Sequence, residues 1–195
     1  MIQRRVLIVG ESWAAGGRMF PELPDTLARR LNGAVSVCTI GFSGKNTGRI
    51  VREFDPHIAV AALGGPPTNV VILTGVNDQV QRRGPRFYVT GVKRLMALFP
   101  TACVQVVSAP LINTYPPVRT LSRLRNLALG TLHPQRNAAY RWALTKAVPH
   151  DQIIDFTEFS RGFAAEPGRY EPDGIHPTRP VFHEYGAFIG SRIRV

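Results

Sequence analysis

Five residues of this sequence have the types and the order needed for serine-based cleavage of an ester. Ser12 is the candidate nucleophile, and a serine hydroxyl needs a positioned base to act. His176 is the candidate base, and Asp173, three residues earlier, is the carboxylate that would orient the imidazole. The backbone N–H groups of Ser12 and Gly44 and the side-chain amide of Asn77 are suited to stabilise an oxyanion. Gly44 is suited because a side chain there would crowd the substrate.

Three of these residues follow strands that the sequence predicts at residues 4–9, 34–40 and 69–74. In a parallel sheet the carboxyl ends of the strands meet at one edge, and open α/β sheets bind ligands there. We therefore expect the segments that contain Ser12, Gly44 and Asn77 to be neighbours. The segment from Asp173 to His176 comes just before the last predicted helix.

Strands and helices alternate along the chain. Further strands are predicted at 103–109 and 152–156, and helices at about 25–31, 46–54, 55–63, 85–99, 118–129, 134–148 and 178–193. This alternation predicts a five-stranded parallel sheet in a three-layer α/β/α sandwich, as one domain over residues 1–195. The polar segment 77–83 is predicted to be a loop, with Asp78 as a turn or cap residue.

The formal charge of +11 arises from 24 basic and 13 acidic residues. A basic surface would favour anionic partners such as nucleic acid, acidic polysaccharide or phosphorylated lipid, and the alternative is an arginine-rich solvated surface. The same alternatives apply to Arg82 and Arg83, which follow Asn77. A non-catalytic module that binds nucleic acid or an anionic glycan is the competing functional class. The filled catalytic positions favour an enzyme and make nucleic acid binding the weaker interpretation.

Composition also bears on the compartment and on the two cysteines. No run of about 20 apolar residues is present, so no membrane span is expected. The first strand begins almost at the N-terminus without a signal peptide, which predicts a cytoplasmic protein unless a leader was removed. Cys38 and Cys103 lie in predicted strands and are interpreted as buried free thiols. They form no metal-binding pair, and the oligomeric state is left open.

In the sequence segments around these catalytic candidates, the chain resembles the SGNH hydrolases, the superfamily that contains the GDSL esterases and lipases. Ser12, Gly44, Asn77 and His176 match the four residues that give the superfamily its name, and Asp173 completes the triad. The resemblance implies a flavodoxin-like sandwich, no cofactor, no metal, and ester cleavage through an acyl-serine intermediate. The nucleophile of this family follows the first strand, and no Gly-x-Ser-x-Gly elbow surrounds Ser12.

Two positions depart from the family pattern. The first block commonly reads Gly-Asp-Ser, whereas Glu11 precedes the serine in this chain. Glu11 is not part of the triad, so we expect the chemistry to be retained and the support of the turn to differ. The second block often has asparagine where this chain has Thr39, which puts a supporting hydrogen bond in question.

The substrate is less constrained than the chemistry. Trp13, Phe42, Val76 and Tyr115 are candidate substrate contacts, and core packing is the alternative for Trp13. Short loops suggest an open site, which fits short acyl groups on a bulky alcohol, such as O-acetyl groups on a carbohydrate. Long-acyl thioesterase or lysophospholipase activity is an alternative, as is acyl transfer by the same residues.

Overall fold

A computed structural model of the chain describes residues 4–14, 29, 35–109, 137–157, 159–160, 166, 168–171 and 175–194. The strands are β1 (Arg4–Glu11), β2 (Val35–Phe42), β3 (Asn69–Leu73), β4 (Cys103–Val107) and β5 (Ile153–Ile154). The described helices are α1 (Thr47–Glu53), α2 (Pro56–Leu63), α3 (Val76–Val80), α4 (Pro85–Ala97), α5 (137–147) and α6 (Arg179–Arg192). Short 3₁₀ turns occupy Ser12–Ala14 and His150–Gln152.

The five strands form one parallel sheet in the order β2-β1-β3-β4-β5. This is the flavodoxin-like order, in which the strand order reverses beside β1 and creates a crevice at the carboxyl edge. The predicted parallel α/β sheet is therefore confirmed. β1 and β3 are apolar on both faces because helices cover both sides of the sheet.

Two hydrophobic clusters, one on each face of the sheet, pack the three layers together. One cluster joins β1 and β3 to α6 through residues that include Ile8, Val71 and Tyr185. The other joins the opposite faces of the same strands to α1, α2, α4 and α5, with Leu7 and Tyr88 at its centre. Among the described residues, the C-terminal helix lies in one outer layer and four helices lie in the other.

Local chemistry explains where several helices begin. The Asn46 side chain accepts a hydrogen bond from the Arg49 N–H, and Asp55 does the same for the His57 N–H. Side-chain acceptors of this kind satisfy backbone donors that the first helical turn leaves free. Pro85 begins α4, a position where the missing N–H costs no hydrogen bond.

Three predicted elements and the predicted burial of the two cysteines need correction. β2 continues through Phe42 instead of turning at Gly41, and β5 is reduced to two residues. Part of the polar segment 77–83 forms α3 and is not a loop. Cys103, the first residue of β4, is an exposed free thiol and Cys38 is a half-buried one, so neither is fully buried. The predicted helices at 25–31 and 118–129 lie outside the described residues, apart from Arg29.

No helix in the described part of the chain is long and apolar enough to cross a membrane.

Candidate active site

The carboxyl ends of β1, β2 and β3 lie side by side. Glu11 is paired in register with Phe42, and Gly10 is paired with Leu73. Neighbouring strands are about 4.8 Å apart, so the segments that follow them begin close together, as predicted. Gly10 is required by this packing, because a Cβ at that position would lie 2.0 Å from the Leu73 carbonyl oxygen.

Ser12 and His176 are in direct contact at this edge although 164 residues separate them in the chain. The Ser12 Oγ and His176 Nε2 atoms are 2.9 Å apart, a normal hydrogen-bond distance. Ser12 begins the short 3₁₀ turn after β1 and is 9% exposed. The structure therefore joins a serine hydroxyl to an imidazole, which is the pairing that activates a serine nucleophile.

A short antiparallel pairing supports the histidine segment. Tyr170 bridges Pro177, and the Glu171 N–H donates to the His176 carbonyl oxygen at 2.7 Å. The Thr178 N–H donates to the Arg169 carbonyl oxygen at 2.9 Å, directly before α6. His176 is thus held by backbone hydrogen bonds at its own carbonyl oxygen and two residues further along the chain. Asp173 lies outside the described residues, so its role in orienting the imidazole remains a prediction.

Glu11 connects the nucleophile segment to the asparagine segment. Its carboxyl group accepts hydrogen bonds from the Val76 N–H at 2.9 Å and from the Asn77 N–H at 2.8 Å. These two N–H groups begin α3 and have no partner within the helix. Glu11 therefore fixes the backbone of Asn77 relative to Ser12, and it points into the protein. Glu11, which stands where the family commonly has aspartate, therefore supports the turn.

Burial sets the ionisation of Glu11. The residue is 2% exposed, and loss of solvation raises its pKa from 4.5 to about 8. The two backbone N–H groups act in the opposite direction, because they stabilise the charged form. Proximity to Asp78 adds a smaller upward contribution. The neutral carboxyl group is consequently an abundant form near neutral pH.

Asp78 connects the asparagine segment to the glycine segment. Its Oδ2 atom accepts from the Thr47 N–H at 2.9 Å and from the Thr47 hydroxyl at 2.6 Å. Burial raises the pKa of Asp78, and the two hydrogen bonds from Thr47 lower it by a smaller amount. Asp78 is therefore a capping residue, although it caps a distant helix, α1, and not its own turn.

Gln81 adds a second link between these segments. Its amide nitrogen donates to the Gly44 carbonyl oxygen at 2.9 Å, and its amide oxygen accepts from the Asn46 side chain at 2.7 Å. Gly44 has a φ of +71°, a left-handed conformation that favours glycine. A Cβ at Gly44 would meet no atom of the described residues within 4 Å, so conformation and not packing against them requires glycine there.

The Asn77 side-chain amide lies near the Glu11 carboxyl group and helps to stabilise its charged form. Its Nδ2 atom is buried and, among the described residues, has no partner in good hydrogen-bond geometry. Leaving a buried donor unpaired costs about 1–3 kcal/mol. A donor that the protein's own acceptors satisfy poorly is one of the groups from which an oxyanion hole can be built, so this role of Asn77 stays a prediction.

Two of the four predicted substrate contacts lie in the hydrophobic core. Trp13 is 1% exposed and packs edge to face against Phe182 and Tyr185, with ring centroids 5.8 and 5.4 Å away. The core interpretation of Trp13 therefore replaces the substrate interpretation. Val76 is also 1% exposed and lies in the core, so its side chain is not a substrate contact. Phe42 is half-buried against Phe54 and remains a prediction, whereas Tyr115 lies outside the described residues.

Other polar groups near this edge were only partly anticipated. Neither the link from Glu11 to α3 nor the link from Gln81 to the glycine turn was predicted from the sequence. The signal that was available is adjacency, because Glu11 and Asp78 directly neighbour Ser12 and Asn77. Arg82 and Arg83 are exposed, which fits the solvated interpretation.

Among the residues that the structure describes, no group of three or more His, Cys, Asp or Glu side chains is arranged to hold a metal ion. The chemistry available at the described edge is that of a hydroxyl, an imidazole, an amide and backbone N–H groups.

The sequence as a whole matches a known family. The profile of the GDSL-like Lipase/Acylhydrolase family aligns with residues 8–180, which include every candidate catalytic residue. The chain therefore belongs to this family and is a carboxylic ester hydrolase of the SGNH type. A search of curated proteins finds no significant match.

Solved structures share the fold at low sequence identity. A lipase/acylhydrolase from Enterococcus faecalis superposes with a TM-score of 0.65 at 19% identity, covering 98% of this chain and 97% of the other. An aryl esterase from M. smegmatis gives 0.67 at 19%, with 97% of each chain covered. A carbohydrate acetylesterase family member from Sinorhizobium meliloti gives 0.69 at 20%, with 96% of each covered. These similarities extend over nearly the whole chain and support the same α/β fold.

Proposed function

We propose that this enzyme hydrolyses short-chain acyl esters, with O-acetyl groups on a carbohydrate as the favoured substrate class, through an acyl-Ser12 intermediate. The observation that carries the mechanism is the 2.9 Å contact between Ser12 Oγ and His176 Nε2. It occurs at the carboxyl edge of the sheet, beside a buried Asn77 amide that has no well-aligned acceptor among the described residues.

The proposed first half-reaction forms the acyl enzyme. Ser12 Oγ attacks the ester carbonyl carbon while His176 Nε2 takes the hydroxyl proton. The carbonyl oxygen becomes an oxyanion, which accepts hydrogen bonds from Asn77 Nδ2 and from the Ser12 and Gly44 N–H groups. The C–O bond to the alcohol then breaks, and the imidazolium returns its proton to the departing alkoxide oxygen.

The second half-reaction releases the acid. Water attacks the acyl carbon of the ester on Ser12, and His176 accepts a proton from that water. Collapse of the second tetrahedral intermediate breaks the bond to Ser12 Oγ, which recovers the proton from His176. Asp173 is assigned the role of orienting the imidazole and stabilising its cation.

A short acyl group is supported by the packing beside the nucleophile. Within the described residues, the side chains of Trp13, Ala14 and Val76 are 1%, 0% and 1% exposed and lie in the core. These side chains are occupied in core packing and are not available to line an acyl channel behind Ser12. The carbohydrate preference is also consistent with the acetylesterase among the structural neighbours.

The test compares p-nitrophenyl esters of two, four, eight and twelve carbons, an acetylated oligosaccharide and a palmitoyl thioester. We expect kcat/KM to fall as the acyl chain lengthens, and Ser12→Ala to abolish turnover. Ser43→Ala, in the exposed turn beside Gly44, is the matched control and is expected to retain activity. Full turnover by Ser12→Ala would remove Ser12 from the mechanism.

The same experiment distinguishes the alternative substrates. A preference for the twelve-carbon ester or the thioester would replace the proposal with a long-acyl thioesterase or lysophospholipase. Addition of a sugar acceptor, followed by product analysis, separates hydrolysis from acyl transfer, because only transfer yields an acylated acceptor.

A further inference from the structure

A basic groove lies between α1 and α4, apart from the ester-cleaving residues. The cavity has a volume of about 320 Å³, and three arginines line it: Arg52 from α1, and Arg86 and Arg94 from α4. Neither Ser12 nor His176 contributes to its walls. A volume of this size is at the lower end of the range for small-molecule sites.

Close packing of the two helices shapes the groove. A Cβ at Gly48 would lie 2.5 Å from the Phe87 ring, and a Cβ at Gly91 would lie 2.7 Å from the Thr47 side chain. The two glycines therefore allow the backbones of α1 and α4 to approach closely. The arginines project from helices that this contact holds in a fixed relative position.

The positive charge of the groove is not neutralised by the described protein. From residue 82 to residue 97 the sequence contains five basic residues and no acidic one. Glu53, the acidic residue of α1, pairs with Lys45 at 3.2 Å. Arg52, Arg86 and Arg94 form no ion pair with any residue in the described ranges. Like charges that line one groove without a counter-charge favour an anionic ligand.

We propose that this groove binds a compact, multiply charged phosphate group of a soluble small molecule. Guanidinium groups match phosphate oxygens through paired hydrogen bonds, and three of them suit a ligand with several negative charges. The Phe87 ring packs over Gly48 and under Arg83, whose guanidinium carbon is 5.5 Å from the ring centroid. The ring thus forms part of the groove wall, and the arginines provide the attraction to the ligand.

The groove shape argues for a soluble ligand over a lipid surface. The arginines line a concavity between two helices, which a compact phosphate group can enter and a planar membrane cannot. Arg86 and Arg94 are eight residues apart on α4, which corresponds to about 12 Å along the helix. A di- or triphosphate that spans part of this distance can contact arginines from both helices.

Titration calorimetry with inorganic tripolyphosphate tests the proposal on the full chain. We expect saturable binding with one ligand per chain, weakened about tenfold or more by Arg52→Ala and by Arg94→Ala. Arg94→Lys keeps the charge without the planar fork and is expected to weaken binding by a smaller factor. Arg4→Ala, an exposed arginine at the start of β1, is the control and should leave the affinity unchanged.

Three results would overturn the proposal. They are an absence of tripolyphosphate binding, equal weakening by Arg4→Ala, and binding only to vesicles that contain phosphatidic acid. Hydrolysis of p-nitrophenyl acetate is measured on the same variants and should be unchanged, because no substituted residue belongs to the ester-cleaving site. The two proposals can therefore fail independently.

Discussion

Replacing Glu11 with glutamine tests how a buried carboxyl group behind the nucleophile makes stability depend on pH. Glu11 accepts two backbone hydrogen bonds and is 2% exposed. Glutamine has nearly the same shape but does not ionise in this pH range. One of its two terminal groups is a donor that must face a backbone N–H, so a pH-independent loss of about 1–3 kcal/mol accompanies the change.

The sign of the pH dependence follows from the raised pKa. Folding raises the pKa of Glu11 from 4.5 to about 8, so the folded state binds its proton more tightly than the unfolded state. The resulting stabilisation is complete below pH 4.5 and is lost as the pH rises through 8. At 1.36 kcal/mol per pH unit, the full effect between those values is about 5 kcal/mol.

Urea unfolding at several pH values between 5 and 9 measures this effect. We expect the free energy of unfolding of the wild type, relative to Glu11→Gln, to fall by about 1.4 kcal/mol per pH unit until about pH 8. Glu53→Gln makes the same chemical change at an exposed residue of α1 and serves as the control. Its pH profile should run parallel to that of the wild type.

Two results would refute the reasoning on Glu11. Parallel profiles for wild type and Glu11→Gln would mean that folding leaves the pKa of this carboxyl group unchanged. A wild type that gains stability relative to Glu11→Gln as the pH rises would mean that the two backbone N–H groups outweigh burial. The folded protein would then hold an ionised carboxylate, with a pKa below its ordinary value.

Three further predictions concern Asn77, Asp78 and the two cysteines. Asn77→Ala should lower kcat about 10²-fold or more with little change in KM, because its amide would contact the oxygen only when charge develops; a change confined to KM would count against this role. Asp78→Ala should lower the free energy of unfolding by about 1–3 kcal/mol, since it leaves the buried Thr47 N–H without its acceptor; an unchanged urea midpoint would contradict this. A thiol reagent should modify exposed Cys103 before half-buried Cys38, whose pKa is raised by burial, and mass spectrometry of digested protein would reveal the opposite order.

The elements predicted best from the sequence are those whose burial is uniform. β1 and β3 are covered on both faces, so their residues form continuous apolar runs that alternation with helices then orders into a parallel sheet. The register of that sheet places Glu11 beside Phe42 and brings the segments that contain Ser12, Gly44 and Asn77 to one edge. Strand ends and residue types were sufficient to anticipate this placement.

The elements predicted poorly depend on contacts between distant parts of the chain. α3 is only five residues long and is mostly polar, and its first N–H groups are satisfied by Glu11 from another strand. Trp13 packs against Phe182 and Tyr185, which follow about 170 residues later. Local sequence contains no signal for either contact, so a loop and a substrate contact were reasonable alternatives.

Two buried acids, Glu11 and Asp78, fix the backbone around the candidate site through hydrogen bonds inside the protein. Glu11 directly precedes Ser12, and Asp78 directly follows Asn77. Each acid points inward and accepts two hydrogen bonds from another segment: Glu11 from the start of α3, and Asp78 from the start of α1. Each therefore anchors the backbone beside a residue proposed to meet the substrate. The nucleophile, the amide donor and the glycine turn are joined through this pair, so a change in either acid should disturb the geometry of more than one segment.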